Sequence, residues 1–442
     1  MLNRVFIANR GEVALRILQA CHEMDKQCVA GYTQVDSALI HIGLADDSIC
    51  TGKKSYLQMN DIITAAKLTN CDSIHPGYGF LSENAAFAVK VEANNLAFIG
   101  PKPDQIKRLE NKASVRQLMA DCGLKVIPGS HARIANLDEA LKASEEIGFP
   151  LLMKAAFGGG GRGIRLVKDA GKLSALWAEA EQEAEASFGR SEIYLEKFLD
   201  HARHIEIQLL GDGKGKMIHL GSRDCSIQKR HQKIIEEAPA PGIAPEKLNR
   251  LAQDSISALS GMHYRSAATL EFLYQDGEFY FLEVNARLQV EHPVTELITD
   301  ADIVKAQLFI ADTQALPWMQ SDIELKGCSI ECRINAEDAA FRPSPGMIQK
   351  FDPPGGNGVR VDSHIYAGYR VPHHYDSLLA KLIVRGVDRK EAIAKMIRAL
   401  AEFRIEGVET SIPVLKEILQ SKSFSRGEYT TSNALERMLE SH

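Results

Sequence analysis

The chain has 442 residues, of which 45% are apolar and 25% charged, with a net charge of −6. That length exceeds what one hydrophobic core serves and implies roughly two to four domains. The mild acidity excludes a general affinity for nucleic acid or an anionic membrane, so any anion must be met by a local cluster of Lys and Arg. Eight cysteines, at 21, 28, 50, 71, 122, 225, 328 and 332, form no CxxC pair and are too sparse for a disulfide scaffold, which favours reduced thiols in the cytoplasm. Charges at Arg4, Arg10 and Glu12 interrupt any signal-peptide core and no apolar run is long enough for a bilayer, so a soluble, unprocessed protein is expected.

From residue 4 onward, short apolar runs such as RVFIA and QCVAGYT alternate with helical periodicity, first at Val13, Ile17, Ala20 and Met24. Strands alternating with helices predict a parallel α/β sheet over about the first hundred residues. Its first strand-to-helix turn, ANRGE, holds one glycine, so the three-glycine dinucleotide fingerprint is absent and a Rossmann-like shape without NAD is expected. A helical linker, DQIKRLENKASVRQLMADCG, leads to a region of different character. There PLLMKAAF, the run GGGGRG, the strand IRLVK and the helix KLSALWAEAEQEAEA precede strands EIYLEKFL, RHIEIQLLG and KMIHLGSRDCSIQKR. A helix over 246–261 and strands AATLEFLY and EFYFLEVNARLQV follow, giving an α+β region dense in antiparallel strands that ends near 325. From CSIECRINAED onward a small α+β domain, with the helix RKEAIAKMIRALAEF, closes the chain.

Three constellations bear chemistry. Gly158, Gly159, Gly160 and Gly161 lie between two strands, where backbone N–H groups can approach phosphate oxygens; a mobile flap over a nucleotide and a plain flexible hairpin tip both fit the run. Lys154, an ammonium on an apolar strand, favours an anion nearby. Second, Arg223, Lys229, Arg230, His231 and Lys233 crowd into RDCSIQKRHQK, which suits a solvated basic face or a site for phosphate or bicarbonate. Third, EVNARLQVEHP alternates Glu283, Asn285, Arg287, Gln289 and Glu291 with apolar residues, as one face of an extended strand would. Glu271 lies on the preceding strand. A three-residue loop ending at Gly277 would put Glu271 and Glu283 on one face, offering hard oxygens to Mg²⁺, whereas a two-residue Asp276-Gly277 turn would put them on opposite faces. A solvated strand edge with alternating ion pairs is the competing reading of this face.

Taken together and in order, IANRGEVALRI, HPGYGFLSEN, GGGGRG, RDCSIQKRHQK, EEAPAP, EVNARLQVEHPVTE, ECRINAED, PSPG and HIYAGYRVP resemble biotin carboxylase, the ATP-grasp component of biotin-dependent carboxylases, over essentially the whole chain. The resemblance implies an α/β and α+β multidomain fold: a Rossmann-like domain over 1–111, an ATP-grasp domain over 112–325 with a glycine-rich lid about 128–199, and a C-terminal domain over 326–442. It implies ATP with Mg²⁺ or Mn²⁺, two ions per site, and biotin as a carrier-bound substrate. Metal would be held by Glu271, Glu283 and Asn285. Lys112, Lys154 and the four glycines would bind the ATP phosphates, and Glu196, Lys197, Leu199, His204, Gln228 and His231 the adenine and ribose. Lys233, Arg287, Gln289 and the backbone of Val290 would position bicarbonate. Glu291 would be the general base and Arg333 would stabilise the biotin enolate. Glu291, four residues beyond Arg287 and two places along the same face, has the reach to take the bicarbonate proton, and Arg287 is expected to keep it ionised.

The 442 residues hold no AMKM biotin-attachment motif, and no carboxyltransferase is expected on the same chain. A separate biotin carboxyl carrier protein, carboxyltransferase subunits and a homodimer are the implied partners, as in acetyl-CoA carboxylase or a related carboxylase. Phe157 and Ser222 depart from the family pattern, the first expected to stiffen the flap hinge and the second to remove a carboxylate from the basic cluster. VPHHYDS and Ser411 depart as well. The competing functions are another ATP-grasp ligase that passes an acyl phosphate to an amine, and an inactive ATP-binding regulatory subunit.

Overall fold

The computed structural model describes residues 2–53, 55–130, 134–155, 164–188 and 193–431. The glycine run at 158–161 and Phe157 lie outside the described residues.

Five parallel strands open the chain, ordered in space Asp47–Gly52, Gln27–Thr33, Arg4–Ile7, Ser73–His75 and Ala97–Phe98. Val5, Phe6 and Ile7 are buried on both faces, as a strand covered by helices requires. The helix Gly11–Glu23 buries Val13, Ile17 and Ala20 as their spacing predicts, with Met24 just past its end. Gly11 has φ +66, so one glycine suffices for the sharp turn from strand to helix. The strand order reverses between Arg4–Ile7 and Ser73–His75, and such a switch point opens a crevice at the strands' carboxyl ends.

The helical linker is two helices, Pro103–Glu110 and Lys112–Asp121. They break at Asn111, whose side chain accepts the Ser114 N–H at 2.9 Å and caps the second helix. The lid follows as a three-stranded antiparallel sheet, with Leu151–Ala155 between Ile164–Val167 and Ile193–Lys197. It has its own small core, including Leu151, Met153, Trp177 and Leu195.

The body is one antiparallel sheet of eight strands, in the order Glu278–Asn285, Arg265–Gln275, Arg203–Asp212, Met217–Lys229, Gln232–Ala238, Cys328–Asn335, Leu378–Gly386 and Val359–Ser363. The closing segment therefore shares a sheet with the preceding region, because Cys328–Asn335 pairs with Gln232–Ala238, a strand that sequence reading left within the basic cluster. The first domain is joined just as closely: Val5, Ile7 and Ile17 pack in one core with Leu210, Leu220, Ile303 and Leu308.

Two expectations about the strands that carry Glu271 and Glu283 are corrected. The turn is the two-residue one, with Asp276 at φ 53 and Gly277 at φ 80, the left-handed pair of a type I′ turn. Glu271 and Glu283 nevertheless share a face. A β-bulge at Leu282 shifts the register after the Phe272–Phe281 pair, so Glu271 lies directly opposite Glu283. The polar alternation from Glu283 to Glu291 is also not one strand. The strand ends at Asn285, residues 286–291 turn as a loop, and the helix His292–Thr299 begins.

Candidate active site

A cleft of about 1390 Å³ is lined by the first domain's turns, the lid strands, the large sheet and the 286–291 loop. Every described residue expected at the site lines it, from Lys112 and Lys154 through Glu271 and Arg287 to Glu291 and Arg333. The polar surface runs across the strands rather than along one. Register places Glu283, Glu271, Glu206 and Arg223 side by side on four neighbouring strands, with Asn285, Thr269 and Gln208 in the next row.

Lys233, carried by the strand Gln232–Ala238, is the hub of this surface. Its ammonium bonds Glu206, Glu271 at 3.0 Å and Glu291 at 2.7 Å. Arg333 reaches the other Glu291 oxygen at 2.9 Å and Glu236 at 2.6 Å. Burial alone would push the Glu271 and Glu291 carboxyls up. Lys233 with His204 in the first case, and Lys233 with Arg333 in the second, outweigh it and hold both below the ordinary carboxylate range. Arg287 adds to this through space, as expected, but the direct contacts to Glu291 are those of Lys233 and Arg333. Arg287 is instead held by Glu83 at 2.8 Å, by the Gln289 side-chain oxygen at 2.8 Å and by that of Asn285 at 2.8 Å.

At the lid end, Lys154 pairs with Glu196 at 2.5 Å. The Lys197 ammonium donates to the Phe149 carbonyl at 2.8 Å, so the lid's own backbone holds it. His204 lies between Gln228 at 2.9 Å and Glu271 at 2.7 Å, and His231 forms, with Arg230, the left-handed turn of the basic hairpin. Leu199 lines the same end. Glu283 is half exposed and only 3.5 Å from Lys112. Glu271, Glu283 and Asn285 supply two carboxylates and an amide carbonyl on one sheet face, a hard-oxygen set that fits Mg²⁺ or Mn²⁺ shared with nucleotide phosphates.

Several members of the network escaped sequence reading. Glu206 stands in the apolar strand RHIEIQLL, where a carboxylate with no visible partner was the available signal. Glu83 sits inside the quoted HPGYGFLSEN and also accepts the Ala286 N–H at 2.8 Å, fixing the loop at both atoms. Lys381, fully buried, donates to the Val290 carbonyl at 2.9 Å and pairs with Glu12 at 3.1 Å. Ser222, expected to deprive the basic cluster, points elsewhere: its hydroxyl accepts the Ala240 N–H at 3.2 Å and it does not line the cleft.

Family models match in chain order: the biotin carboxylase N-terminal domain over 1–106, the ATP-binding domain of the carbamoyl-phosphate synthase L chain over 111–319, and the biotin carboxylase C-terminal domain over 331–436. A biotin carboxylase of Pseudomonas aeruginosa is 48% identical over 97% of this chain and 96% of its own. The solved biotin carboxylase of Campylobacter jejuni, described as a β-γ-ATP complex, superposes with a TM-score of 0.96 at 44% identity over 99% of each chain. The biotin carboxylase domain dimer of the Hydrogenobacter thermophilus 2-oxoglutarate carboxylase, with MgADP, ADP and bicarbonate, superposes at 0.95 with 42% identity, covering 100% of this chain and 98% of that one. Fold and cleft define an ATP-grasp enzyme, an ATP-dependent ligase. The chain belongs to the biotin carboxylase family.

Proposed function

We propose that the protein uses ATP and bicarbonate to carboxylate biotin presented on a separate carrier protein. The observation that supports this most is the double grip on Glu291: Lys233 from the sheet and Arg333 from the closing segment hold its two oxygens. A ligase that only made an acyl phosphate would have no need of Arg333 there.

Bicarbonate is a weak nucleophile and must be held in line with the γ-phosphorus. Arg287, its fork fixed by Glu83, Gln289 and Asn285, and Lys233 present the cations that align it. Lys112 and Lys154 neutralise phosphate charge. As the bicarbonate oxygen attacks and the bond to ADP breaks, Glu291 takes the bicarbonate proton. Carboxyphosphate then splits into CO₂ and phosphate, the phosphate takes the biotin N1 proton, and N1 attacks CO₂ while Arg333 stabilises the enolate oxygen. A divalent ion held by Glu271, Glu283 and Asn285 supplies electrostatic stabilisation of the ATP phosphates.

The resting site is neutralised internally, since Glu206, Glu271, Glu291 and Glu236 occupy the same cations that the substrates need. Paired to Lys233 and Arg333, Glu291 is ionised but weakly basic. Bicarbonate drawing on Lys233 and biotin drawing on Arg333 loosen those pairs and raise its basicity when both substrates are in place.

The roles divide among the units 1–111, 112–325 with its lid about 128–199, and 326–442. A biotin carboxyl carrier protein, carboxyltransferase subunits and a second copy of the chain are the partners of this reading, and the cytoplasm its compartment. Among the described residues no helix is long and apolar enough to cross a membrane. Arg333→Ser tests the assignment: it should abolish carboxybiotin formation yet leave bicarbonate-dependent ATP cleavage. Equal loss of both, with the protein folded, would contradict the role given to Arg333.

A further inference from the structure

Away from the cleft, His22, Cys28 and Asp46 bring three ligand atoms within 4.8 Å of one another. None of the three lines the cleft. His22 lies in the last turn of the helix Gly11–Glu23, Cys28 lies in the strand Gln27–Thr33, and Asp46 immediately precedes the strand Asp47–Gly52. The His22 Nε2 is 3.2 Å from Asp46 Oδ2 and 3.5 Å from Cys28 Sγ.

Those separations have a meaning in coordination geometry. With bonds of about 2.3 Å to sulfur and about 2.0–2.1 Å to nitrogen and oxygen, a tetrahedral zinc ion spaces S and N about 3.5 Å apart, and N and O about 3.3 Å. The observed edges match both. The arrangement is also built in advance. Asp46 accepts the Cys28 N–H at 2.7 Å, and its own N–H donates to the Cys28 carbonyl at 3.1 Å, so carboxylate and thiol are fixed on one backbone frame. The His22 and Asp46 side chains are 41% and 35% exposed while Cys28 is fully buried, so an ion would enter from the side of His22 and Asp46.

We propose that His22, Cys28 and Asp46 form a binding site for a zinc-class divalent cation, which clips the helix Gly11–Glu23 to two strands of the parallel sheet. The donor set excludes Mg²⁺, which takes oxygen ligands in octahedral array. The Cys28 thiol gives its proton to solvent as the metal–sulfur bond forms, which requires an ion with affinity for sulfur. The clip lies at the far end of a helix whose first residues, Gly11 and Glu12, line the cleft. It is independent of the carboxylase chemistry.

The test is titration of the full-length chain, stripped with chelator and free of nucleotide, with Co²⁺ and then Zn²⁺. The expected result is a thiolate-to-cobalt charge-transfer band that saturates at one equivalent and is displaced by Zn²⁺. Cys28→Ser should abolish the band. His22→Gln, a change at a half-exposed position that leaves the core untouched, should weaken Zn²⁺ binding by at least about tenfold, the cost of losing even an outer partner of a metal site. Cys225→Ser is the control, because Cys225 groups with Glu206 and Glu291 and could give a thiolate band of its own. No band in the wild-type chain, or a band that survives Cys28→Ser and disappears with Cys225→Ser, would overturn the proposal and leave an Asp–His pair that only braces the strand.

Discussion

Replacing Glu291 with Gln keeps shape and volume but removes the proposed base. The fold should tolerate it. Breaking a buried ion pair costs about 3–5 kcal/mol when it strands a charge. Here Arg333 keeps Glu236 at 2.6 Å, and Lys233 keeps Glu206 and Glu271, so neither cation is left alone. The amide oxygen can serve only one of the two cations that the carboxylate serves, and the guanidinium turns to Glu236. Catalysis should suffer far more than stability. Loss of a positioned general base lowers turnover about 10²–10⁴-fold, or roughly 3–5 kcal/mol of barrier. Bicarbonate-dependent ADP release, followed at saturating Mg-ATP, should fall by that factor while the KM for ATP changes by less than about threefold, since Glu291 touches no ATP contact. A folded E291Q protein within about threefold of wild-type turnover would refute the assignment of the base.

Other outcomes follow from the same network. Glu83→Gln frees the Arg287 fork from its anchor and should raise the KM for bicarbonate about tenfold with little change for ATP, as loss of a positioning contact does; steady-state kinetics in both substrates separates the two. Lys381→Met leaves Glu12 buried without its ammonium and the Val290 carbonyl without its donor, and should lower stability by about 3–5 kcal/mol, read as a fall in the urea midpoint. Burial, with the charge of Glu291, pushes the Glu236 carboxyl up to about 7 against the pull of Arg333. Its folded value lies above the free one of about 4.3, so the native state binds the extra proton between them, and this contribution to stability falls as pH rises from about 4.5 to 7. Glu236→Gln should flatten that part of the stability profile, measured by urea unfolding across the window; an unchanged slope would contradict the shift.

Much of this was legible in residues whose neighbours in sequence are also neighbours in space. The alternation of strand and helix gave the parallel sheet, and Val13, Ile17 and Ala20 gave the buried face of its first helix. The site was legible as a set of residues but not as a surface. No glycine or other local sign marks the bulge at Leu282, which arises from how two long strands fit after a type I′ turn, so the shared face of Glu271 and Glu283 was tied to the wrong loop. The 286–291 segment has a strand's period because alternate side chains still face core and cleft, even though the backbone has left the sheet. Glu206, Glu236 and Lys381 were missed because each has a main partner far away in sequence: Lys233, Arg333 and Glu12. Long-range charge pairing leaves no periodic trace.

The central claim is that ATP cleavage at this site is coupled through bicarbonate to biotin. The most direct test measures ADP release by the purified protein with Mg-ATP alone, with bicarbonate, and with bicarbonate plus free biotin, and follows incorporation of labelled bicarbonate into biotin in the last series. The account predicts turnover that requires bicarbonate, rises with biotin and yields labelled carboxybiotin. Bicarbonate-dependent turnover indifferent to biotin, with no label fixed, would contradict it and point to the other kind of ATP-grasp ligase.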